Sequence, residues 1–479
     1  MGRPAEGAPS RRWSYWLAER IRELVRDGVL GYGAQLPASR ALGAALCVSR
    51  GVVVSAYEQL LAEGFLAARQ GSGTYVAGGT AAGPATRVPL SLPPPHARPG
   101  LPDLGAFPRA RWLAAYRAAL AEASTADIGY GDPRGHPRLR VELAAHLART
   151  RAAVVEPDNV LAVGGVALAL ALLADVLIAA GRRRVAVEDP ASPGTCELLR
   201  RRGVELVPVP VDADGIRPSE LAGVDVAAVV LTPAHQYPTG ALLSAARRRA
   251  LIALARERGL LLVEDDYDGS FHYGRNAVGC VQGLAPDVTV LLGSVSKTLA
   301  PSLRIGWLIA PPDWVLPLMR RRSVTDLAGP TIDQLAFAHL MESGFYDRHV
   351  RRMRRLYLRR RQRLVAALTE VPWLAVRGAP SGLHVLAEVP AAAAETAVCA
   401  ALREAGFDVQ CLADCHAAAG GGSSDPGAAP ERGASGGVPG PARPERGGRG
   451  GVVIGFASLS DAAIDKLGAV IAGLPSTGW

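Results

Sequence analysis

Lysine is nearly absent from this chain of 479 residues: its 53 basic residues comprise 51 arginines and two lysines, Lys297 and Lys466. Arginine supplies positive charge and phosphate contacts, but it does not lose its proton and so cannot act as an amine nucleophile. Lys466 lies in a helix-like run near the C-terminus, where we expect it to be solvated. Lys297 lies in GSVSKTLAPSLRIGW and is the candidate for amine chemistry.

Cysteine is also scarce, with six residues and no framework spacing. Such usage is typical of reduced thiols in the cytosol rather than of a disulfide-stabilised secreted protein. Cys411, Cys415 and His416 are spaced like a fragment of a metal site, but no second ligand pair accompanies them, and we predict no metal site. Residues 1–10 contain no apolar run of the kind that a secretory signal needs. We therefore expect a cytoplasmic protein.

Only residues 160–181 form an apolar run that approaches the length of a membrane span. Asp175 and the pair Gly164–Gly165 interrupt this run, which favours a buried strand, a glycine turn and a buried helix. We therefore expect no membrane partner.

The composition excludes several classes of protein. Apolar residues make up 49% of the chain and charged residues 20%, so the chain is neither mainly disordered nor collagen-like. The formal net charge of +9 permits an anionic partner without identifying one.

Composition shifts divide the chain into three parts. Residues 11–77 are helical in pattern and end in a glycine-rich hairpin, and residues 78–105 have the Gly, Pro and Ala content of a flexible linker. In residues 106–479, apolar strand-like runs alternate with amphipathic helical runs, which predicts an α/β domain with a mostly parallel sheet sandwiched by helices and a small C-terminal α/β subdomain. Residues 417–451 are almost wholly Gly, Ala, Pro, Ser, Arg and Glu and offer too little apolar surface to bury, which predicts a disordered insertion.

The N-terminal part has the pattern of a helix-turn-helix followed by a wing. Helices are predicted over 16–29, 39–46 and 50–64, with Ser49 as the N-cap of the third, and a hairpin over 68–76. The run from QLPASR through VSR and YEQLLAEGF to GSGTYV resembles the winged helix-turn-helix of GntR-type regulators. The resemblance implies double-stranded DNA as partner, and an interaction module that binds no DNA is the alternative. The expected DNA contacts are Arg40, Ser49, Arg50, Arg69, Gly71, Ser72, Gly73 and Thr74.

Four segments carry the chemistry of the C-terminal part: GYGDPRGHPRLR (129–140), TPAHQYPTG (232–240), VEDDYDGSF (263–271) and GSVSKTLAPSLRIG (293–306). Together and in this order they resemble fold type I pyridoxal-phosphate enzymes of the aspartate aminotransferase family. The resemblance implies pyridoxal 5'-phosphate (PLP) as cofactor, joined to Lys297 as an aldimine.

The same resemblance implies roles for the other site residues. Asp265 would pair with the pyridine nitrogen, with Asp266 as the alternative in register, and Tyr267 would hydrogen-bond the phenolic oxygen with help from Gln236 or Tyr237. The expected phosphate ligands are Ser294, Ser296, Arg304, Gly164 and Gly165.

A GntR-type module followed by an aminotransferase-like domain resembles the MocR subfamily of transcriptional regulators. This resemblance implies a homodimer that senses PLP, or a small amino compound that reacts with bound PLP. Two alternatives remain: a working aminotransferase with a fused DNA-binding domain, and a regulator with a vestigial cofactor pocket.

Three departures from the relatives' pattern bear on these alternatives. Residues 166–168 are apolar where relatives carry polar side chains, and Ser192 stands where relatives often place an aromatic ring. Val453 occupies the place of the arginine that clamps a substrate carboxylate, which removes a contact worth about 1.5–3 kcal/mol. We therefore expect inefficient turnover of amino acids.

Overall fold

The computed structural model describes residues 9–69, 72–78, 97–274, 279–417 and 450–475. The chain forms two compact units, an N-terminal unit before Leu92 and a C-terminal unit from Leu92 onward. The predicted wing residue Gly71, most of the predicted linker and nearly all of the predicted insertion lie outside the described residues.

The described part of the N-terminal unit holds three helices and a two-stranded antiparallel hairpin. Apolar side chains of all five elements form one core, which includes Ile21, Val53 and Leu60. Gly64 has a φ of +77°, so the third helix ends at Ala62, two residues before its predicted end. The elements are α1 (Ser10–Arg26), α2 (Ser39–Leu46), α3 (Arg50–Ala62), β1 (Leu66–Arg69) and β2 (Gly73–Val76).

The C-terminal unit is built on a mostly parallel sheet with the strand order β3-β10-β9-β8-β7-β4-β5-β6. Strands β5, β4, β7, β8 and β9 pair in parallel, whereas β10 runs antiparallel to both of its neighbours. The strands are β3 (Val160–Val163), β4 (Arg184–Asp189), β5 (Glu205–Asp212), β6 (Gly215–Ile216), β7 (Ala228–Leu231), β8 (Leu261–Asp265), β9 (Thr289–Ser294) and β10 (Gly306–Ile309).

Helices cover both faces of this sheet and bury its continuous apolar runs. The apolar run at 160–181 is strand β3 followed by helix α7, both buried in the core, as predicted. Among the described residues, no helix has the length and apolar content needed to span a membrane. The helices are α4 (Arg109–Glu122), α5 (Thr125–Ile128), α6 (Pro137–Arg151), α7 (Val166–Ala179), α8 (Pro193–Arg201), α9 (Ala245–Arg258), α10 (Pro312–Arg322) and α11 (Thr331–Glu342).

A smaller four-stranded antiparallel sheet with the order β11-β12-β14-β13 forms the C-terminal subdomain. Its core also takes side chains from the 25-residue helix α12. The elements are α12 (Phe345–Thr369), β11 (Ala375–Arg377), β12 (His384–Val389), α13 (Ala392–Glu404), β13 (Gln410–Cys411), β14 (Gly450–Gly455) and α14 (Asp461–Ala472).

Residues 97–105 differ from the predicted flexible linker because they are fastened to the C-terminal unit. Ala97 is fully buried, and its carbonyl accepts a hydrogen bond from the amide of Gly455 at 2.8 Å. The Asp103 amide donates to the Tyr357 hydroxyl at 2.8 Å, and the Asp103 carboxylate pairs with Arg360 at 2.9 Å. Tertiary contacts therefore order this stretch despite its glycine and proline content.

Candidate functional site

A cavity of about 750 Å³ opens at the carboxyl ends of the parallel strands β4, β7, β8 and β9. Loops that follow such strands bring distant parts of a chain together at one edge of the sheet. Seven of the predicted cofactor residues line this cavity: Tyr237, Asp265, Tyr267, Ser294, Ser296, Lys297 and Arg304.

Lys297 follows strand β9 and is half-buried. Burial lowers the pKa of its amine, and the negative charges of Asp268 and Asp265 act in the opposite direction. A β-carbon built on Gly100 would lie 3.1 Å from Lys297 Nζ, so the chain at Gly100 passes directly beside the amine. A lowered pKa favours the neutral amine, which is the form that attacks an aldehyde.

Asp265 and Asp266 lie in different environments although they are adjacent in sequence. Asp265 lines the cavity, and its Oδ1 is buried without a hydrogen-bond partner. Asp266 instead accepts two hydrogen bonds from Arg151, at 2.7 and 2.8 Å. Burial raises the pKa of Asp265 to about 7. Of the two carboxylates, Asp265 is therefore the one with an oxygen available to a ligand's N–H group.

Tyr267 is held by a buried polar cluster beneath the cavity. Its hydroxyl donates to the His235 carbonyl at 2.9 Å and lies 3.0 Å from His235 Nδ1. The same nitrogen lies 3.0 Å from Asp268 Oδ2, and the centroid of the His384 ring lies 4.7 Å from that of the His235 ring, with the two planes tilted by 44°. Sequence reasoning missed His235, Asp268 and His384, although His235 lies in the TPAHQYPTG segment.

Gly382 makes room for this cluster. A β-carbon at that position would lie 2.1 Å from His235 Nδ1 and 2.4 Å from Asp268 Oδ2, and the residue has a φ of +71°. Only glycine fits both the space and the backbone conformation.

One end of the cavity has the donors of a phosphate site. Arg304 has a φ of +51°, and its guanidinium lies 3.2–3.4 Å from the place where Gly165 would carry a β-carbon. Gly164 and Gly165 precede α7, whose N-terminal amides are available to an anion. Val166 and Ala167 line the same end and add no side-chain donors, as the sequence predicts.

Gln236 and Tyr237 use their polar groups within the protein. The Gln236 amide nitrogen donates to the carbonyls of Pro190 and Tyr237 at 2.8 and 2.6 Å, and its oxygen accepts from Thr239. The Tyr237 hydroxyl donates to Gln410. These contacts shape the loop, and the assisting roles that the resemblance implies for Gln236 and Tyr237 stay predictions.

Several cavity residues were missed in the sequence. Arg98 and Gly100 line the cavity from the stretch assigned to the linker, and Glu188 lines it from the end of β4. Burial raises the pKa of Glu188 to about 7. Val453, at the place of the expected clamp arginine, is fully buried in β14.

The predicted DNA-contacting residues of the helices share the surface of the N-terminal unit. Arg40 lies at the start of α2, and Arg50 is the first residue of α3; both are exposed. The Ser49 hydroxyl accepts a hydrogen bond from the Val52 amide at 3.4 Å and so caps α3. The start of a recognition helix is where side chains reach base edges.

The predicted wing residues that the structure describes, Arg69, Ser72, Gly73 and Thr74, lie in the hairpin of β1 and β2. Arg69 is exposed and stacks 5.0 Å over the Tyr75 ring. The Ser72 carbonyl accepts from Gln35 at 2.8 Å, and Gly73 has a φ of +111°. Thr74 is half-buried.

Two family models match the chain. Residues 16–76 match the bacterial regulatory proteins of the gntR family, and residues 102–420 match aminotransferase class I and II.

Two regulatory proteins are similar to this chain over most of its length. The HTH-type pyridoxine biosynthesis transcriptional regulator PdxR of Corynebacterium glutamicum is 37% identical over 77% of this chain and 81% of its own. The probable rhizopine catabolism regulatory protein MocR of Rhizobium meliloti is 32% identical over 78% of this chain and 80% of its own.

The fold also matches solved aminotransferases. The α-aminoadipate aminotransferase LysN of Thermus thermophilus superposes with a TM-score of 0.65 at 24% identity, over 78% of this chain and 91% of its own. The chain therefore belongs to the MocR subfamily of GntR-type transcriptional regulators, in which a winged helix-turn-helix is fused to an aminotransferase-like domain of fold type I.

Proposed function

We propose that the protein binds operator DNA through α3 and the wing, binds PLP at Lys297, and changes its affinity for DNA when the cavity is occupied. The observation that carries this proposal is that Lys297 and Asp265 line the same cavity and that Asp265 Oδ1 is buried there without a hydrogen-bond partner. An orphaned buried carboxylate oxygen costs free energy, which a ligand N–H group would recover.

The residues of the cavity fit each polar group of PLP. Lys297 would hold the aldehyde carbon, Asp265 the pyridine nitrogen and Tyr267 the phenolic oxygen. Arg304, Ser294, Ser296 and the amides after Gly164 would hold the phosphate. When bound, PLP supplies an aldehyde that reacts reversibly with amines.

We infer that PLP itself is the principal effector. The PdxR relative is named for pyridoxine biosynthesis, and Val453 leaves the carboxylate of an amino acid without the expected clamp. A small amino compound remains the second candidate, because Arg98 and Arg403 also line the cavity. Either ligand acts only if it binds two arrangements of the proposed homodimer with different affinity.

Borohydride reduction followed by peptide mass spectrometry tests the cofactor site. We expect the phosphopyridoxyl mass on the peptide containing Lys297 and its absence in Lys297→Ala, with Lys466→Ala as the matched control. An unmodified Lys297 peptide from PLP-treated protein would refute the site and favour a vestigial pocket. DNA binding to the region upstream of the protein's own gene, with and without PLP, tests the regulatory role.

A working aminotransferase is the second candidate, favoured by the complete set of Lys297, Asp265 and Tyr267 in one cavity. A half-transamination assay with common amino acids separates the two functions. Sustained turnover, together with an affinity for DNA that does not change with PLP, would establish the aminotransferase activity and overturn the proposed regulatory role.

A further inference from the structure

Helix α12 concentrates the positive charge of the molecule. Its 25 residues include nine arginines and one acidic residue, Asp347, which is a net charge of +8 with histidine neutral. The formal net charge of the whole chain is +9. The rest of the chain is thus nearly neutral. Most of the excess positive charge that could attract an anionic partner therefore lies on this helix.

Four of these arginines form one exposed row, which we call the arginine stripe: Arg348, Arg352, Arg355 and Arg359. They follow the spacing i, i+4, i+7 and i+11, which places them on one face of a helix over roughly 16 Å. Within the described parts of the chain, no carboxylate pairs with any of them, and only Arg348 has a hydrogen bond, to the Ser343 carbonyl at 3.1 Å.

The unpaired state of the stripe contrasts with two other arginines of α12. Arg360 pairs with Asp103 at 2.9 Å, and Arg363 pairs with Asp465 at 2.5 Å. Like charges three or four residues apart destabilise a helix. A row of four such residues without counter-charges is therefore unfavourable for the isolated protein and favourable only beside an anion.

The positive surface continues on the neighbouring side of α12. Arg351 and Arg354 line a second cavity of about 440 Å³ together with Arg149 and His146. Planar guanidinium groups bind phosphate oxygens through paired hydrogen bonds, and DNA presents a phosphate about every 1.7 Å along its axis.

We propose that the arginine stripe binds the phosphate backbone of the DNA duplex that the winged helix-turn-helix engages, as a second DNA contact on the aminotransferase-like domain. This inference rests on the proposed DNA-binding function. It adds an anchor that reads no sequence and lies outside the GntR-type module.

The test uses the full chain and a fluorescent 60-base-pair duplex from the region upstream of its gene. Arg352→Gln/Arg355→Gln/Arg359→Gln is compared with a control that removes three charges elsewhere, Arg183→Gln/Arg249→Gln/Arg320→Gln. The control arginines are also exposed and have no carboxylate partner among the described residues. Both triple variants keep the winged module intact.

Log affinity falls with log salt, and we expect the stripe variant to make this slope less steep by about 2.7. The control variant should leave the slope unchanged. Wild type would then lose about 40-fold more affinity than the stripe variant between 50 and 200 mM salt. Melting temperatures at or above that of wild type would show that the stripe variant folds.

Equal slopes for the two triple variants would overturn the proposal while leaving the proposed function intact. A stripe variant that sediments as a smaller species would identify the stripe as an interface between copies and would also overturn it. If wild type does not bind the duplex, or if Arg50→Ala binds as tightly, the proposed DNA-binding function fails and the stripe proposal fails with it.

Discussion

Asp265→Asn should stabilise the cofactor-free protein and at the same time abolish its stabilisation by PLP. Burial raises the pKa of Asp265 to about 7, from an ordinary value near 3.8. As the pH rises from about 4 to 7, the unfolded chain releases this proton while the folded chain retains it, so the folded state loses stability. At about 1.4 kcal/mol per pH unit, the full loss is about 4 kcal/mol above pH 7.

The expected gain for the variant is smaller than that limit, because neighbouring carboxylates titrate together with Asp265. We expect about 1–3 kcal/mol at pH 8 and no gain near pH 4. The assay is urea unfolding of PLP-free protein across this pH range, followed by thermal shift with PLP. Wild type should gain stability with PLP, and the variant should not. The side chain of asparagine is neutral, so it has no negative charge to pair with the protonated pyridine nitrogen.

Asp266→Asn is the matched control, one residue away. We expect it to lower the stability of the folded protein, whereas Asp265→Asn should raise it. Its carboxylate pairs with Arg151 at 2.7 Å, and both side chains are almost completely buried. Breaking such a pair from one side costs about 3–5 kcal/mol. A less stable Asp265→Asn protein, or a loss of the PLP response in Asp266→Asn alone, would refute the assignment of Asp265.

Two further predictions concern the DNA-binding face and the cluster under Tyr267. Arg50→Ala should weaken DNA binding and lower the salt slope by about one, with PLP uptake unchanged; a parallel loss of PLP uptake would show that the two units are not independent. Gly382→Ala should lower the melting temperature and shift the absorbance of bound PLP, because the new methyl group would lie 2.1 Å from His235 Nδ1. Gly223→Ala is the control, because Gly223 has nearly the same φ of +72° but open space around it. Its loss of stability measures the backbone cost alone, about 1 kcal/mol. Equal effects in the two variants would contradict the steric argument.

Local signals in the sequence predict much of the fold. The apolar periodicity and the cap at Ser49 give helices α2 and α3 nearly to the residue. The apolar runs at 185–188, 226–232, 260–264, 288–292 and 304–310 predict strands where the structure has β4, β7, β8, β9 and β10, because strands buried on both faces are apolar throughout. The resemblance to fold type I enzymes then implies that Asp265, Tyr267 and Lys297 meet, and in the structure they line one cavity at the ends of the parallel strands β8 and β9.

The remaining features depend on contacts between distant segments. Composition predicts a flexible chain at 97–105, but hydrogen bonds to Gly455 and Tyr357 fix it. The hydrogen bonds of Gln236 to the carbonyls of Pro190 and Tyr237 have no signature in the sequence, because their acceptors are backbone groups. The arginines of α12 are visible in the sequence, but which of them lack a carboxylate depends on the side chains that pack beside the helix.

Residues 97–100 lie between the winged helix-turn-helix and the aminotransferase-like domain in the sequence, and residues 98–100 line the candidate cofactor cavity. Among the described residues of the C-terminal unit, Ala97 is fastened through the amide of Gly455, and Arg98 and Gly100 then line the cavity, Gly100 beside the amine of Lys297. We expect a ligand that displaces Lys297 or binds Arg98 to act on these anchored residues, which lie in the sequence between the winged helix-turn-helix and the aminotransferase-like domain. Coupling of this kind requires only that the ligand bind more tightly when the anchor is in one of two positions, and a difference of 1.4 kcal/mol already changes DNA affinity about tenfold.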